Sequence, residues 1–287
     1  MRLTKIHPVV YIIYYLILML FAFIFINPYY MITFFICIFI LISLQGIKKE
    51  FISTIKGFIM MGCVIAIINP LTSRQGLTKI YLWNDFFITY EAVVYGIIMA
   101  LSLILVLLVF TSLNKSVSYQ DMLYVFSKKF PTISMIMIMV LRFIPLFSYR
   151  IEEINKLNNF ENENVGKKGF VNKVKNVANV MTIMISWAFE ESMITAKSMK
   201  ARGYNTSKRT SYLYYKINLN DKILLFFIGI TSILSIIGLF YGVGRINIYP
   251  SIDFSFNQLP LNVFYLAFLL LLLPLIYLEF KEVLIWH

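Results

Sequence analysis

Six stretches of the chain carry no Asp, Glu, Lys or Arg and are long enough to cross a bilayer: residues 9–26, 30–47, 57–73, 92–114, 223–244 and 254–278. A hydrocarbon core of about 30 Å needs roughly 20 helical residues, with about 17 as the lower end, so all six predict membrane-spanning helices and the first three are short ones. The first stretch has the length of a signal-peptide core. No small-residue cleavage site follows it, since "INPYYM" leads directly into the second run, and it reads as a retained helix. Between the fourth and fifth stretches lie about a hundred residues of different character. Residues 130–141, 143–149 and 176–189 are free of charge, yet each run is too short to span. They are also too apolar for ordinary surface helices. The pattern predicts long amphipathic helices lying along or just under the membrane face, packed on each other and on partner proteins. Residues 155–175, "NKLNNFENENVGKKGFVNKVK", are polar and broken by Gly166 and Gly169, which predicts a helix end and a loop, followed by a helix from about Lys173 to Ala201.

Composition agrees with a membrane location. Hydrophobic residues make up 60% of the 287 positions, against roughly 45 to 50% in soluble domains. The net charge of +12 is unevenly distributed. Residues 113–220 hold sixteen Lys or Arg against seven Asp or Glu, which puts that segment in the cytoplasm by the positive-inside rule. Lys48, Lys49 and Lys56 place the second connection on the same side, as Arg2 and Lys5 place the N-terminus. Six crossings then alternate with both termini inside. In this setting the basic excess serves topology and contact with anionic lipid, and no nucleic-acid partner is expected. The sequence thus predicts an all-α polytopic membrane protein of about six transmembrane helices, divided into residues 1–114, a cytoplasmic segment 115–221, and residues 222–287.

Candidate chemistry is sparse. Cys37 and Cys63 lie in apolar stretches, as small buried hydrophobes rather than as disulfide or metal partners. His7 precedes Pro8 near a membrane edge, His287 is the last residue, and neither has a triad or ligand set around it; capping or interfacial roles are expected. Glu190 and Glu191 precede Lys197 and Lys200, which fits solvated pairs at helical spacing better than a catalytic acid pair. No GxxxxGK[ST] loop, HExxH or GxSxG occurs, and "NVGKKGF" lacks the upstream Gly and the Ser or Thr of a phosphate cradle. The six apolar runs contain no ionisable residue to mark an ion path, and Glu91 stands at the edge of the fourth. Met135, Met137, Met139, Met181, Met184, Met193 and Met199 give the middle helices flexible thioethers, suited to a surface that repacks against partners as well as to a core that fills gaps.

The step "ARGY" at 201–204 has two readings. Gly just past a helix end frees the last carbonyls in a left-handed turn, and a cation there suits the helix dipole. Alternatively, Arg202 stands at the tip of a long helix, able to insert its guanidinium into an acidic groove of another protein.

"KIHP" at 5–8, "NPLTSRQGLTKIY" at 69–81, "YEAVVYGIIMALSLILVLLVFTSL" at 90–113, "LRFIPLF" at 141–147 and "SMKARGY" at 198–204 occur in an order and at intervals that resemble one family. On these residues the chain resembles the transmembrane T component of energy-coupling factor (ECF) transporters, the ATP-driven importers of micronutrients. The resemblance covers roughly residues 5–212. It implies two long cytoplasmic coupling helices, each ending in an Ala-Arg-Gly motif docked on one of two ABC ATPase subunits, and a separate S component that binds the vitamin or metal ion. Ala201, Arg202 and Gly203 would be the second motif, with Arg202 paired to an ATPase acid, Gly203 allowing close backbone approach and Tyr204 packed beside it. The chain itself would be no enzyme and hold no cofactor, ATP and Mg belonging to its partners. Two departures stand out. Family spacing puts the first motif at Phe160, Glu161 and Asn162, where Glu replaces Arg, 41 residues before Arg202. Residues 254–278 add a crossing beyond the five or so the resemblance implies. Two other readings remain: a polytopic enzyme of lipid metabolism, which would need acidic metal ligands, and a scaffold or a permease of another ABC class, which would need a substrate cavity of its own.

Overall fold

The helices begin where local chemistry tells them to. Pro8 and Pro28 each open a 17-residue helix, α1 (Pro8–Ile24) and α2 (Pro28–Leu44), since a prolyl ring presets helical φ where no amide donor is needed. The residue before each proline is the cap. His7 Nδ1 accepts the Val9 amide at 3.3 Å, so His7 has the capping role its position predicted, and Asn27 Oδ1 accepts the Tyr29 amide at 3.1 Å. There follow α3 (Lys48–Thr72), a ribbon of β1 (Lys79–Tyr81) and β2 (Phe87–Thr89), α4 (Tyr90–Ser116), α5 (Tyr119–Lys129), α6 (Pro131–Val165), α7 (Phe170–Ala201), α8 (Leu219–Phe240) and α9 (Val263–Trp286). This computed structural model describes residues 6–46, 48–73, 76–81, 87–165, 170–204, 206, 217–246, 248–249 and 262–286. It divides the chain into two compact units, Met1–Ser118 with Tyr215–His287, and Tyr119–Tyr214.

The larger unit is a bundle of six helices, α1–α4, α8 and α9, each of which overlaps one of the six apolar runs. α4 packs on α1, α2 and α3, α9 on α2 and α8, and α1 on α8. Four of the six, over Ser53–Thr72, Tyr90–Ser116, Leu219–Phe240 and Val263–Lys281, are long and apolar enough to cross a membrane; α1 and α2 sit at the lower limit of length. At one end of the bundle Phe268 is wholly buried among rings. Its centroid lies 5.1 Å from Phe25, 5.0 Å from Tyr30 and 5.8 Å from Phe34, tying α9 to the α1–α2 turn. Ser102 on α4 donates to the Ala22 carbonyl at 2.7 Å, and Tyr14 donates to the Leu271 carbonyl in the turn of α9 just before Pro274. The outer faces of α3 and α8 stay apolar and exposed, as lipid-facing surface must.

In the smaller unit the charge-free runs proved to be parts of longer elements. Residues 130–141 and 143–149 lie almost wholly in one helix, α6, which continues through Pro145, so the expectation that neither run could span is corrected. Pro131–Leu157 is long and apolar enough to cross. Arg142 does not end the helix, since arginine is a good helix former, and its guanidinium lies over the Phe143 ring, 5.6 Å from the centroid. The polar stretch 155–175 is likewise mostly helix. α6 runs to Val165 and α7 starts at Phe170, since Glu and Lys are good helix formers and Asn costs a helix little. α6 meets α7 through Phe147 and Trp187, 5.6 Å apart, with Arg150 over the same indole at 5.3 Å; α5 is tied on where Ser134 donates to the Leu123 carbonyl. The described ion pairs, Arg150–Glu153 and Glu152–Lys156, are on α6. Glu190 and Glu191 lie six to ten positions from Lys197 and Lys200, outside the three- or four-residue spacing that brings side chains together, which corrects that expected pairing. Cys63 is exposed on α3 rather than buried, Cys37 is half-buried, and both are free.

α8 approaches α9 closely at Gly238, where an added Cβ would stand 2.7 Å from Phe264 Cβ. Gly229 on the same helix has open space. Gly238→Ala is expected to destabilise the protein by about 1–3 kcal/mol through overpacking, whereas Gly229→Ala should be neutral or slightly stabilising. Thermal unfolding of the two variants in one detergent checks this, and equal midpoints would contradict the packing.

Candidate functional site

α7 ends by a Schellman motif, which settles why Gly203 is glycine. Its φ is +78°, its amide donates to the Lys200 carbonyl at 3.1 Å, and the Tyr204 amide donates to the Met199 carbonyl at 3.0 Å. These are the paired bonds that satisfy the last carbonyls of a helix. Thr206 closes the turn from outside, its hydroxyl donating to the Gly203 carbonyl at 2.7 Å. The capping reading of "ARGY" is therefore correct, and it leaves the functional one intact. Ala201, Arg202 and Tyr204 are exposed, and among the described residues Arg202 forms no ion pair. Arg202 thus stands exposed at the tip of a 32-residue helix whose Met199 and Lys200 carbonyls are already bonded, and its guanidinium carries five donors.

Phe160, Glu161 and Asn162 lie on α6, in the last turn and a half before Val165; their side chains are outside the described residues. Both candidate motifs thus fall near helix ends in the smaller unit, one on α6 and one on α7. Of the seven methionines, Met184 is buried, whereas Met137, Met181 and Met193 are exposed beside Ile133, Ile136, Ile138, Ile183 and Ile185. α6 and α7 therefore keep broad apolar faces uncovered within their unit.

Residues of the motifs at 69–81 and 90–113 make contacts that hold the fold. Glu91, beside the fourth apolar run, is buried and closes the loop before it. Its carboxylate accepts the Thr78 amide at 3.1 Å and the Thr78 hydroxyl at 2.7 Å, and a Cβ on Gly76 would stand 2.6 Å from Oε2. The β-ribbon, which the sequence reading did not include, continues from that clamp with Lys79 opposite Thr89 and Tyr81 opposite Phe87. Gly96 lets α4 approach α3, where a Cβ would meet the Ala66 carbonyl at 3.1 Å.

Sequence reasoning missed a polar cluster buried at the end of the larger unit away from Phe268. Tyr15 of α1 has its hydroxyl 2.9 Å from both Ser112 and Ser116 of α4. Gln45, the C-cap of α2, accepts from Ser112 at 3.1 Å and donates to Ser116 at 2.9 Å and to Glu279 of α9 at 3.1 Å. Glu279 falls one residue beyond the sixth charge-free run, so a rule that counts charge-free residues could only treat it as a boundary. No group of three or more His, Cys, Asp and Glu side chains fit to hold a metal occurs among the described residues. A groove of about 1050 Å³ between α8 and α9 is walled by Leu224, Phe227, Leu270, Leu273, Pro274 and Tyr277, with Asn218, Asp221 and Lys281 at one end. Its walls are apolar and lack the converging polar groups that fix a small substrate.

Comparison with known proteins bears on residues 2–212, which match a family model described as a cobalt transport protein, CbiQ. A Staphylococcus aureus protein named energy-coupling factor transporter transmembrane protein EcfT is 27% identical over 154 residues, covering 50% of this chain and 58% of that protein. An uncharacterized protein of Mycoplasma genitalium, MG181, is 25% identical over 171 residues, covering 56% of this chain and 41% of that protein. The chain thus spans less than two thirds of either relative's length.

Gly203→Ala places a Cβ in the left-handed region, at a cost of about 1–2 kcal/mol. Faster amide exchange at Gly203's neighbours Arg202 and Tyr204 is expected, with Gly203→Asn intermediate. Arg202→Ala should leave exchange unchanged; a rise equal to that of Gly203→Ala would mean that the arginine, not the glycine, holds the turn.

Proposed function

Since the chain belongs to the cobalt transport protein family, the transmembrane T components of ECF transporters, we propose that it couples two ABC ATPases to the movement of a substrate-binding S component in the cell membrane. The match itself carries this reading. It runs from the first helix to just past the Arg-Gly step, through both candidate motif positions. In this reading α6, although long and apolar enough to cross, lies along the membrane face, so that residues 115–221 form the cytoplasmic coupling domain, residues 1–114 and 222–287 form the membrane part, and both termini are cytoplasmic.

The chemistry at α7 fits the role. An exposed arginine at a helix tip forms bidentate, charge-assisted bonds with a carboxylate in a partner's groove. Such a contact contributes roughly 1.5 to 3 kcal/mol. Ala201 and Gly203 keep the flanking surface small, so the backbones approach closely. At the first motif position Glu161 reverses the charge, and its ATPase partner offers a cation or replaces the ion pair by packing. ATP binding draws the ATPases together and shifts the tips of α6 and α7. The exposed Met and Ile faces of those helices then slide against the S component and tilt it, exposing its vitamin or transition-metal site. Such a cycle requires contacts that differ between states, and unbranched thioether side chains supply a surface that repacks at low cost. Hydrolysis and nucleotide binding belong to the ATPases, and substrate choice to the S component.

Affinity purification of the tagged chain from its native membranes, followed by mass spectrometry, should recover two ABC ATPases and a small hydrophobic protein. Recovery of the chain alone, or with unrelated enzymes, would refute the assignment. Arg202→Glu is expected to abolish ATPase-coupled uptake while leaving membrane insertion intact, and persisting uptake would reduce Arg202 to a capping residue. Glu161→Arg should weaken assembly in the same pull-down; unchanged assembly would exclude an ion pair at the first position.

A further inference from the structure

Glu279 is 6% exposed in the last helix, among residues of three other helices. Its Oε1 accepts from Gln45 at 3.1 Å and from Ser116 at 3.3 Å. The bonds around it form one connected set. Ser112 donates to the Gln45 carbonyl oxygen, the Gln45 amide donates to Ser116 and Glu279, and Tyr15, 0% exposed, bridges the two serines. Leucines at these positions would hold four apolar helices together as well or better, since burying a charged group is costly even when it is fully bonded. What the polar set adds is register. If α4 advanced by one turn, about 5.4 Å, Ser112 would take the place of Ser116 and Leu108 that of Ser112, so the Gln45 side-chain oxygen would lose its donor, and positions between the two registers would break more of the set.

The location of the set gives that register a use. Ser116 is the last residue of α4, and the boundary with the smaller unit follows at Ser118. The chain returns at Tyr215 and enters α8, whose start is also fixed by buried polar bonding. Asp221, 2% exposed, accepts the Asn218 amide at 3.0 Å in a capping box. The exit of α4 is therefore bonded to Tyr15, Gln45 and Glu279 of other elements, whereas the start of α8 is closed by its own capping box.

We infer that Gln45, Ser116 and Glu279 are positioning residues that hold the exit of α4 in fixed register, so that α9 is the anchor of a coupling joint rather than a spare crossing. This rests on the coupling role proposed above. With the exit held, displacement of the smaller unit is delivered to α4 as a whole helix instead of being absorbed by slippage at that link.

The test uses the full chain with Cys37→Ala and Cys63→Ala, spin-labelled at Lys115→Cys and Lys281→Cys, two exposed positions beside the cluster. Distances are measured by pulsed electron paramagnetic resonance on the purified chain, then on the affinity-purified assembly with and without ATP and vanadate. A narrow distribution is expected, the same in each condition. Glu279→Leu should broaden it at least about twofold, Ser116→Ala less, and Glu279→Gln, which keeps an acceptor oxygen, should restore it. A Glu279→Leu distribution as narrow as that of the parent overturns the inference, as does a lowered unfolding midpoint with unchanged width, which would make Glu279 a stabilising residue only. Because the first measurement needs no partner, failure to recover ATPases would count against the coupling role and not against the anchor.

Discussion

A polar side chain inside an apolar bundle persists only if the chain itself meets its hydrogen bonds, and this constraint organises the larger unit more than any single apolar contact. The hydrocarbon-facing surface of the six helices is interchangeable in chemistry, so it specifies neither which helices are neighbours nor how far one slides along another. The bonded groups do. Ser102 on Ala22, Tyr14 on Leu271, and the set around Glu279 each join residues far apart in sequence, and each is satisfied in one arrangement of the helices. Aromatic packing around Phe268 fills the opposite end and supplies bulk cohesion.

Much of the architecture was legible from charge alone. The helices appear where charge-free runs predicted them because, in hydrocarbon, a backbone must satisfy its own polar groups and an α-helix does so within one segment. The errors have the same origin. Reading a single Arg142 as a break divided α6, although an arginine over a neighbouring ring is compatible with a continuing helix. Lys48 and Lys49, read as a connection, are the first turn of α3, since lysine favours a helix as much as it favours water.

The candidate site was legible in a different way. Gly203 could be assigned to a helix cap from its neighbours, because the left-handed turn is a local requirement. Arg202 stood out only through the ordered motifs around it, since an exposed cation past a helix end is ordinary by itself. The cluster at Glu279 was not legible at all. Gln45 and Glu279 are 234 residues apart, and nothing in the spacing of Tyr, Gln and Ser distinguishes a buried set from a scattered one. Apolar runs defined by the absence of charge place the charged residues that bound them at their edge, which is where Glu91 and Glu279 both lie.

The smaller unit is inserted between α4 and α8, and this sets an order for the ribosome. α1, α2 and α4 are complete before α9 has been made, so Tyr15, Gln45, Ser112 and Ser116 must wait with one acceptor missing while more than 150 further residues emerge. During that interval α4 has no fixed end, and the inserted helices form while their tether is still free to move. Emergence of α9 supplies the missing acceptor and completes the bonding, so the set closes only after both flanks of the insertion have been made.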